Sequence, residues 1–148
     1  MTTFAMALAK KPISAQKRGK KRRYQQEIRE AAMLRAGKAK LPLLDGELYA
    51  RLIWFHAAKP ELDVDNIVKP IFDALVDIVY DDDNRIAQCV ITRVKSRPKP
   101  FLSKRYISEE FRAELEKLIE NNEHVLYIEV GQLSLSDVIF GPINGGSA

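Results

Sequence analysis

The stretch from residue 61 to residue 84 places the strongest restriction on the fold, because it carries eight carboxylates and one basic residue, Lys69. Two like charges about 4 Å apart repel by roughly 4 kcal/mol at an effective dielectric constant of about 20. A folded chain can therefore hold this stretch only where water separates the charges or where a cation lies among them. The eight carboxylates are Glu61, Asp63, Asp65, Asp73, Asp77, Asp81, Asp82 and Asp83.

Apolar residues inside the acidic stretch recur at the spacing of an amphipathic helix. The apolar face comprises Ile67, Ile71, Ala74, Leu75 and Ile78. The polar stripe comprises Asp65, Lys69, Asp73 and Asp77, at four-residue intervals. Pro70 cannot donate a backbone hydrogen bond, so we expect the regular helix to begin near Ile67 or to kink. Asp65 or Asn66 could cap its first turn, which is a structural alternative to a functional role.

The patterns on either side of this stretch predict further strands and helices. Alternating apolar residues predict four strands, over residues 3–9, 47–57, 85–95 and 124–130. Helical spacing predicts a helix over residues 22–36 with Gly37 as its cap, and a second helix from Ser108 to about Asn121. Helices and strands in this arrangement indicate the α+β class.

The composition indicates one domain. A chain of 148 residues with 46% apolar content is long enough for a single core. We expect the domain to span residues 1–130, followed by a tail over residues 131–148 that is disordered at its end. The lone Cys89 cannot form an internal disulfide, which is typical of the reducing cytoplasm. No run approaches the roughly 20 apolar residues of a membrane span, so we expect a cytoplasmic protein that does not contact membranes.

Half of the basic residues are concentrated near the start of the chain. Residues 10–40 hold twelve of the 24 lysines and arginines, with only Glu27 and Glu30 as acids. This asymmetry predicts binding to a polyanion such as nucleic acid, and a solvated run of charge is the alternative. The candidate contacts lie in a basic loop and comprise Lys17, Arg18, Lys20, Lys21, Arg22 and Arg23.

The acidic residues have the spacing of a cation site. Asp63 and Asp65 stand two positions apart, so in an extended segment both side chains would point to one side and could share an ion. One turn later, Lys69 could offset negative charge on a phosphate, although a surface pair with Asp65 is the plainer interpretation. The triplet 81–83 precedes a predicted strand that could return it beside the strand end leading to Asp63. An Asp-rich turn is the alternative for the triplet.

Other metal sites do not fit the sequence. The block that begins at Asp63 resembles the start of an EF-hand loop, but its sixth position is Val68 rather than glycine. His56 and His124 are isolated in sequence, which favours structural roles. A set of oxygen ligands alone favours a hard cation, magnesium or manganese.

The acidic stretch resembles the RusA family of Holliday junction resolvases, small endonucleases of bacteria and their phages. The resemblance rests on the run from Asp63 to Lys69, on Asp73-Ala74-Leu75, and on Tyr80 followed by the triplet and a hydrophobic strand. It is strongest over residues 59–95 and extends more weakly over residues 3–130. Pro70 stands where the family usually has a small helix-forming residue.

The resemblance implies a fold, a site and an activity. The fold would be a mixed sheet with helices packed on it. Asp63 and Asp65 would bind the metal, Lys69 would be the essential lysine, and Asp83 would complete the site, with Asp82 as the next choice. Magnesium, or manganese, would be the cofactor, with no small-molecule cofactor besides it. The protein would act as a homodimer in the cytoplasm, at the bacterial nucleoid, and would cut branched DNA in pairs of nicks during recombination and repair.

Two other functions are compatible with the same residues. The chain could be a non-catalytic protein that binds branched or single-stranded DNA, with acids that only order a cation. It could also be a less selective nuclease acting on flaps or RNA. Magnesium-dependent cleavage separates the first alternative from an enzyme, and a panel of branched and linear substrates separates the second.

Overall fold

The computed structural model describes residues 3–13, 19–57, 64–102, 107 and 109–134, and it describes Asp65 and Glu110 by their backbones alone. Four strands and three helices make up this part of the chain, which confirms the α+β prediction. The strands are β1 (Thr3–Leu8), β2 (Leu48–His56), β3 (Ile86–Lys95) and β4 (His124–Gln132). The helices are α1 (Lys21–Ala39), α2 (Val68–Ala74) and α3 (Glu109–Asn121).

The four strands form one mixed sheet in the order β1-β4-β2-β3. Strand β4 pairs antiparallel with both β1 and β2, whereas β3 pairs parallel with β2. Side chains alternate between the two faces of a strand, so β2 and β4 contribute to two cores. One core lies against α1 and α2 and includes Leu52 and Trp54 of β2. The other lies against α3 and includes Phe55.

The parallel pairing of β3 corrects one sequence expectation. Leu48, the first residue of β2, pairs with Ile86, the first residue of β3. The triplet 81–83 therefore lies where β2 begins, and not beside the strand end that leads to Asp63. The reason is the connection through α2, because a parallel pair requires a crossover that carries the chain back to the starting end of the sheet.

Two helix ends also differ from the sequence expectation. Helix α1 includes Gly37 and ends at Ala39. Its cap is Lys40, whose φ of 51° is left-handed and whose N–H bonds to the carbonyls of Ala36 and Gly37. Gly37 is therefore not the cap. Helix α2 ends at Ala74, and Asp77, with a φ of 67°, lies in the following turn rather than on a helical stripe.

The predicted domain boundary stays a prediction, although β4 continues past residue 130 to Gln132. Residues 135–148, for which a partly disordered tail was expected, lie outside the described part of the chain. Among the helices that the structure describes, none combines the length and the apolar character that crossing a bilayer requires.

Candidate active site

Lys69 lies between two carboxylates at the start of α2. Its Nζ is 2.8 Å from Asp73 Oδ1 and 2.8 Å from Asp83 Oδ2. These two oxygens can therefore be no farther apart than twice that distance. The Lys69 side chain keeps 62% of its surface exposed, and that of Asp83 keeps 22%. The group formed by Lys69, Asp73 and Asp83, the lysine cluster, is thus open to a ligand from solvent.

The local sequence explains how α2 presents Lys69. The N-cap position is Ile67, so neither Asp65 nor Asn66 has the capping position that the structural alternative required. Pro70 is the third residue of α2, where its missing N–H costs no helical hydrogen bond, and the expected start near Ile67 is confirmed. Asp73 follows Lys69 by four residues, which places both side chains on one side of the helix.

A tight return of the chain after α2 brings Asp83 to Lys69. The N–H of Asp77 donates to the carbonyl of Tyr80 at 2.6 Å, which closes the turn. The buried Tyr80 ring then donates its hydroxyl to the carbonyl of Phe72 at 2.8 Å. These two bonds fix the start of the segment that follows, and Asp83 at its end lies against Lys69 in the first turn of α2.

Charge is uneven within the lysine cluster. The hydrogen bond from Lys69 holds the pKa of Asp83 below its usual range. The hydrogen bonds to Asp73 and then Asp83 raise the pKa of Lys69 above 10.5. At neutral pH one ammonium therefore faces two carboxylates, and one negative charge is left over. All the acceptor atoms are carboxylate oxygens, which suits a hard divalent cation.

The other two acids of the triplet have different partners. Asp81 binds Arg85, with an Oδ1 to Nε distance of 2.5 Å, and Arg85 also contacts Asp45 at 2.9 Å. Asp82 accepts a hydrogen bond from the N–H of Asn84 at 2.9 Å and caps the short turn that follows. Of the triplet, Asp83 is the residue that contacts Lys69, which favours the choice of Asp83 over Asp82.

The remaining predicted ligands are only partly described. Asp63 lies outside the described residues, and Asp65 is described by its backbone, which belongs to a 3-10 turn over Val64–Asn66 directly before α2. Within residues whose side chains the structure describes, no group of three or more histidines, cysteines or acids could hold a metal ion. The set of Asp63, Asp65, Asp83 and Asp82 therefore stays a prediction.

The candidate DNA contacts between residues 17 and 23 differ in exposure. Lys20, Arg22 and Arg23 are exposed at the start of α1, and Lys21 is half-buried. Lys20 and Arg23 line a cleft of about 690 Å³ together with Lys10, Lys11 and Glu27. Glu27 pairs with Lys10 and, at 3.2 Å, with Arg23. Lys17 and Arg18 lie outside the described residues.

Two sets of contacts between polar side chains in the sheet were not predicted from the sequence. His56 and His124 are not isolated, because they are cross-strand partners in β2 and β4, and Trp54 Nε1 donates to His124 Nδ1 at 3.1 Å. Glu129 is buried and accepts hydrogen bonds from two tyrosines, Tyr49 and Tyr127. Tyr127 and Glu129 are neighbours on one face of β4, whereas the His56, Trp54 and Tyr49 contacts join β2 to β4, so only the strand pairing could have revealed them.

Comparison with known families adds an independent finding. A family model described as endodeoxyribonuclease RusA matches residues 7–103, which is more than half of the chain. The match includes α1, β2, α2 and β3, and hence every residue of the lysine cluster. No curated protein is significantly similar to the chain.

Proposed function

The chain belongs to the RusA family of endodeoxyribonucleases, and from that premise we propose that it resolves Holliday junctions by magnesium-dependent, paired nicking of DNA. The observation that carries the proposal is the lysine cluster, in which an exposed ammonium lies within 2.8 Å of Asp73 and of Asp83 inside the segment that the family model matches. The ammonium of such a group can bind the negatively charged phosphodiester. The two carboxylates would repel the phosphate unless a cation lay between them.

The residues fit a magnesium ion. The lysine cluster has two carboxylates for one ammonium, and its possible metal ligands are all carboxylate oxygens. Both features match the preference of this ion. Asp63, Asp65 and Asp83 would hold it, and manganese is the expected substitute. When bound, such an ion supplies Lewis-acid activation of the phosphate and of water.

Lys69 has its own part in the reaction. Its raised pKa keeps the ammonium charged across the physiological range. An exposed, charged donor held by Asp73 can bond to a phosphate oxygen and offset the charge that grows during hydrolysis. Asp73 orients this lysine from the next turn of α2.

The basic loop and the start of α1 supply the DNA contacts in this proposal. Lys17, Arg18, Lys20, Lys21, Arg22 and Arg23 would bind phosphates without reading base sequence. Affinity should then fall steeply with salt, because each neutralised phosphate releases counterions. A homodimer would bring two sites to one junction, as paired nicks require, in the cytoplasm during recombination and repair.

A mobile four-way junction, labelled in turn on each of its four strands, tests the proposal. We expect magnesium to produce symmetric nicks on two opposed strands, and we expect Asp83→Asn to abolish them while junction binding is retained. Asp82→Asn is the matched control, because Asp82 caps the neighbouring turn and does not contact Lys69.

Three outcomes would contradict the proposal. Absence of cleavage by the unaltered protein at any magnesium or manganese concentration would favour a non-catalytic DNA-binding protein. Scattered cuts on flaps or RNA would favour a less selective nuclease. Full cleavage activity of Asp83→Asn, together with loss of cleavage in Asp82→Asn, would make Asp82 rather than Asp83 the third metal ligand.

A further inference from the structure

Helix α2 is too short to hold its own position. It has seven residues, whereas isolated helices of fewer than about 12 residues are marginal in water. The carbonyls of its last turn also lack partners within the helix. Its orientation therefore depends on contacts from outside, and the residue it must orient is Lys69.

Two side chains of α1 supply those contacts. Gln25 donates from Nε2 to the carbonyl of Pro70 at 3.0 Å. Arg29 donates from Nη1 to the carbonyls of Ala74 and Val76, each at 3.0 Å. Gln25 and Arg29 are four residues apart and so share one side of α1.

The carbonyls that accept these bonds lie next to the reactive residues. Pro70 directly follows Lys69, and Ala74 directly follows Asp73. The cationic Arg29 also lies at the C-terminal end of α2, where a positive charge is favourable. The three bonds thus fix the backbone immediately beside the lysine and beside the acid that orients it.

We propose that Gln25 and Arg29 are positioning residues of the nuclease site. They hold α2 in the orientation that directs Lys69 to Asp83. This inference rests on the proposed function. Arg29 belongs to the basic stretch of residues 10–40, but its guanidinium bonds to protein backbone. The proposed positioning connects the start of α1, with the exposed Arg22 and Arg23, to Lys69 through the contact between α1 and α2.

Gln25→Met tests the inference against a matched control, Gln26→Met. Both changes remove one amide from neighbouring positions of α1, but Gln26 is exposed and donates to Glu30 at 3.2 Å. Misplacing a catalytic group by about 1 Å can cost about a hundredfold in rate. We expect Gln25→Met to slow junction cleavage by roughly tenfold at saturating protein, with DNA affinity unchanged within about twofold. Gln26→Met should change neither quantity.

Arg29→Lys is the second variant, because it keeps the positive charge but its Nζ lies one atom nearer the backbone than Nη1, the nitrogen that donates to both carbonyls. We expect the same loss of cleavage with unchanged DNA affinity. Equal activity of Gln25→Met, Arg29→Lys and Gln26→Met would overturn the inference even if the unaltered protein cuts junctions as proposed.

Hydrogen exchange of the α2 backbone amides gives a readout that does not depend on cleavage. Because Gln25 and Arg29 bond to the carbonyls of Pro70, Ala74 and Val76, we expect the α2 amides to exchange faster in Gln25→Met and Arg29→Lys than in the unaltered protein, and not in Gln26→Met. Unchanged exchange in both variants would overturn the positioning role, whereas absence of cleavage by the unaltered protein would count against the proposed function alone.

Discussion

The two faces of the sheet each carry carboxylates with hydrogen-bonding partners, but the two groups are built differently. On the α2 side, the lysine cluster is exposed, and one ammonium serves two acids. On the α3 side, Glu129 keeps only 8% of its side chain exposed and accepts bonds from Tyr49 at 2.6 Å and Tyr127 at 2.5 Å. We call Tyr49, Tyr127 and Glu129 the tyrosine cluster. Arg51 lies 3.8 Å from Glu129 and adds a cation.

The contrast indicates that stability and chemistry depend on different groups of side chains in this chain. A buried carboxylate without partners would be costly, so Glu129 is surrounded by donors. Burial, assisted by Glu129, raises the pKa of Tyr49 to about 12, so the phenol remains a donor at neutral pH. An acid that binds a cation must instead be reachable from solvent and carry spare charge, and this is the role we propose for Asp83. Substitutions in the lysine cluster should therefore lower the rate of cleavage, whereas substitutions in the tyrosine cluster should lower the free energy of unfolding.

The largest effect is expected in the lysine cluster. Lys69→Met should lower junction cleavage by about a hundred- to a thousandfold, because it removes a charged donor that acts on the phosphate. The free energy of unfolding should change by no more than about 0.5 kcal/mol, since the side chain is exposed. Cleavage assays and chemical denaturation of the same preparation measure both. A large loss of stability would show that the lysine cluster supports the fold and would remove the contrast between the faces.

Gly131 offers the next largest effect, on the other face. A Cβ at this position would lie 2.7 Å from the Tyr49 ring, which crosses β4 at Gly131 to reach Glu129. Gly131→Ala should therefore cost about 1–3 kcal/mol of unfolding free energy through overpacking. This exceeds the gain of about 0.5–1 kcal/mol that alanine brings by restricting the unfolded chain. Cleavage per folded molecule should be unchanged.

Two matched variants define the cause of that cost. Gly37→Ala lies within α1, where an added Cβ meets nothing within 4 Å, so it should stabilise the protein by up to about 1 kcal/mol. In a Tyr49→Leu background, Gly131→Ala should lose most of its cost, because the ring is gone. The same cost in both backgrounds would show that the Tyr49 ring is not the reason for glycine at position 131.

The sequence predicted the local parts of the molecule better than the long-range ones. The elements around Lys69 follow from short-range spacing, and a four-residue interval joins Lys69 to Asp73. By contrast, Tyr49 and Glu129 are 80 residues apart, and Trp54 and His124 are 70 apart. Such contacts depend on which strands pair, and the period-two pattern of a strand does not name its partner.

The position of the triplet shows the same limit. Alternation predicted strand β3 but not its parallel pairing, so the sequence placed residues 81–83 at the wrong end of β2. The choice of Asp83 depended on the resemblance to a family rather than on physical spacing. Asp63 and the Asp65 side chain lie outside what the structure describes, so their part in the site rests on the sequence alone.

Tyr127→Phe should have a smaller effect, again on the free energy of unfolding rather than on cleavage. It removes one of the two phenol donors to Glu129 and leaves a buried acceptor less well satisfied. We expect a loss of about 1–2 kcal/mol of unfolding free energy. Denaturation midpoints measure this loss, and cleavage per folded molecule should remain that of the unaltered protein. A drop in the cleavage rate without a loss of stability would show that the tyrosine cluster reaches the chemistry after all.

The smallest effect concerns pH. The pKa of Tyr49 is about 12 in the folded protein and 10.0 without the fold, mainly because of burial. A raised pKa means that the contribution of the neutral phenol is fully present below pH 10 and is lost as the pH rises toward 12. The stability gap between the unaltered protein and Tyr49→Phe, about 1 kcal/mol at pH 9, should therefore narrow between pH 10 and 12. Thermal unfolding of both proteins across this range measures the gap, and other groups that titrate there cancel in the difference. A gap that stays constant would show that the folded protein does not favour the neutral phenol of Tyr49, either by burial or through Glu129.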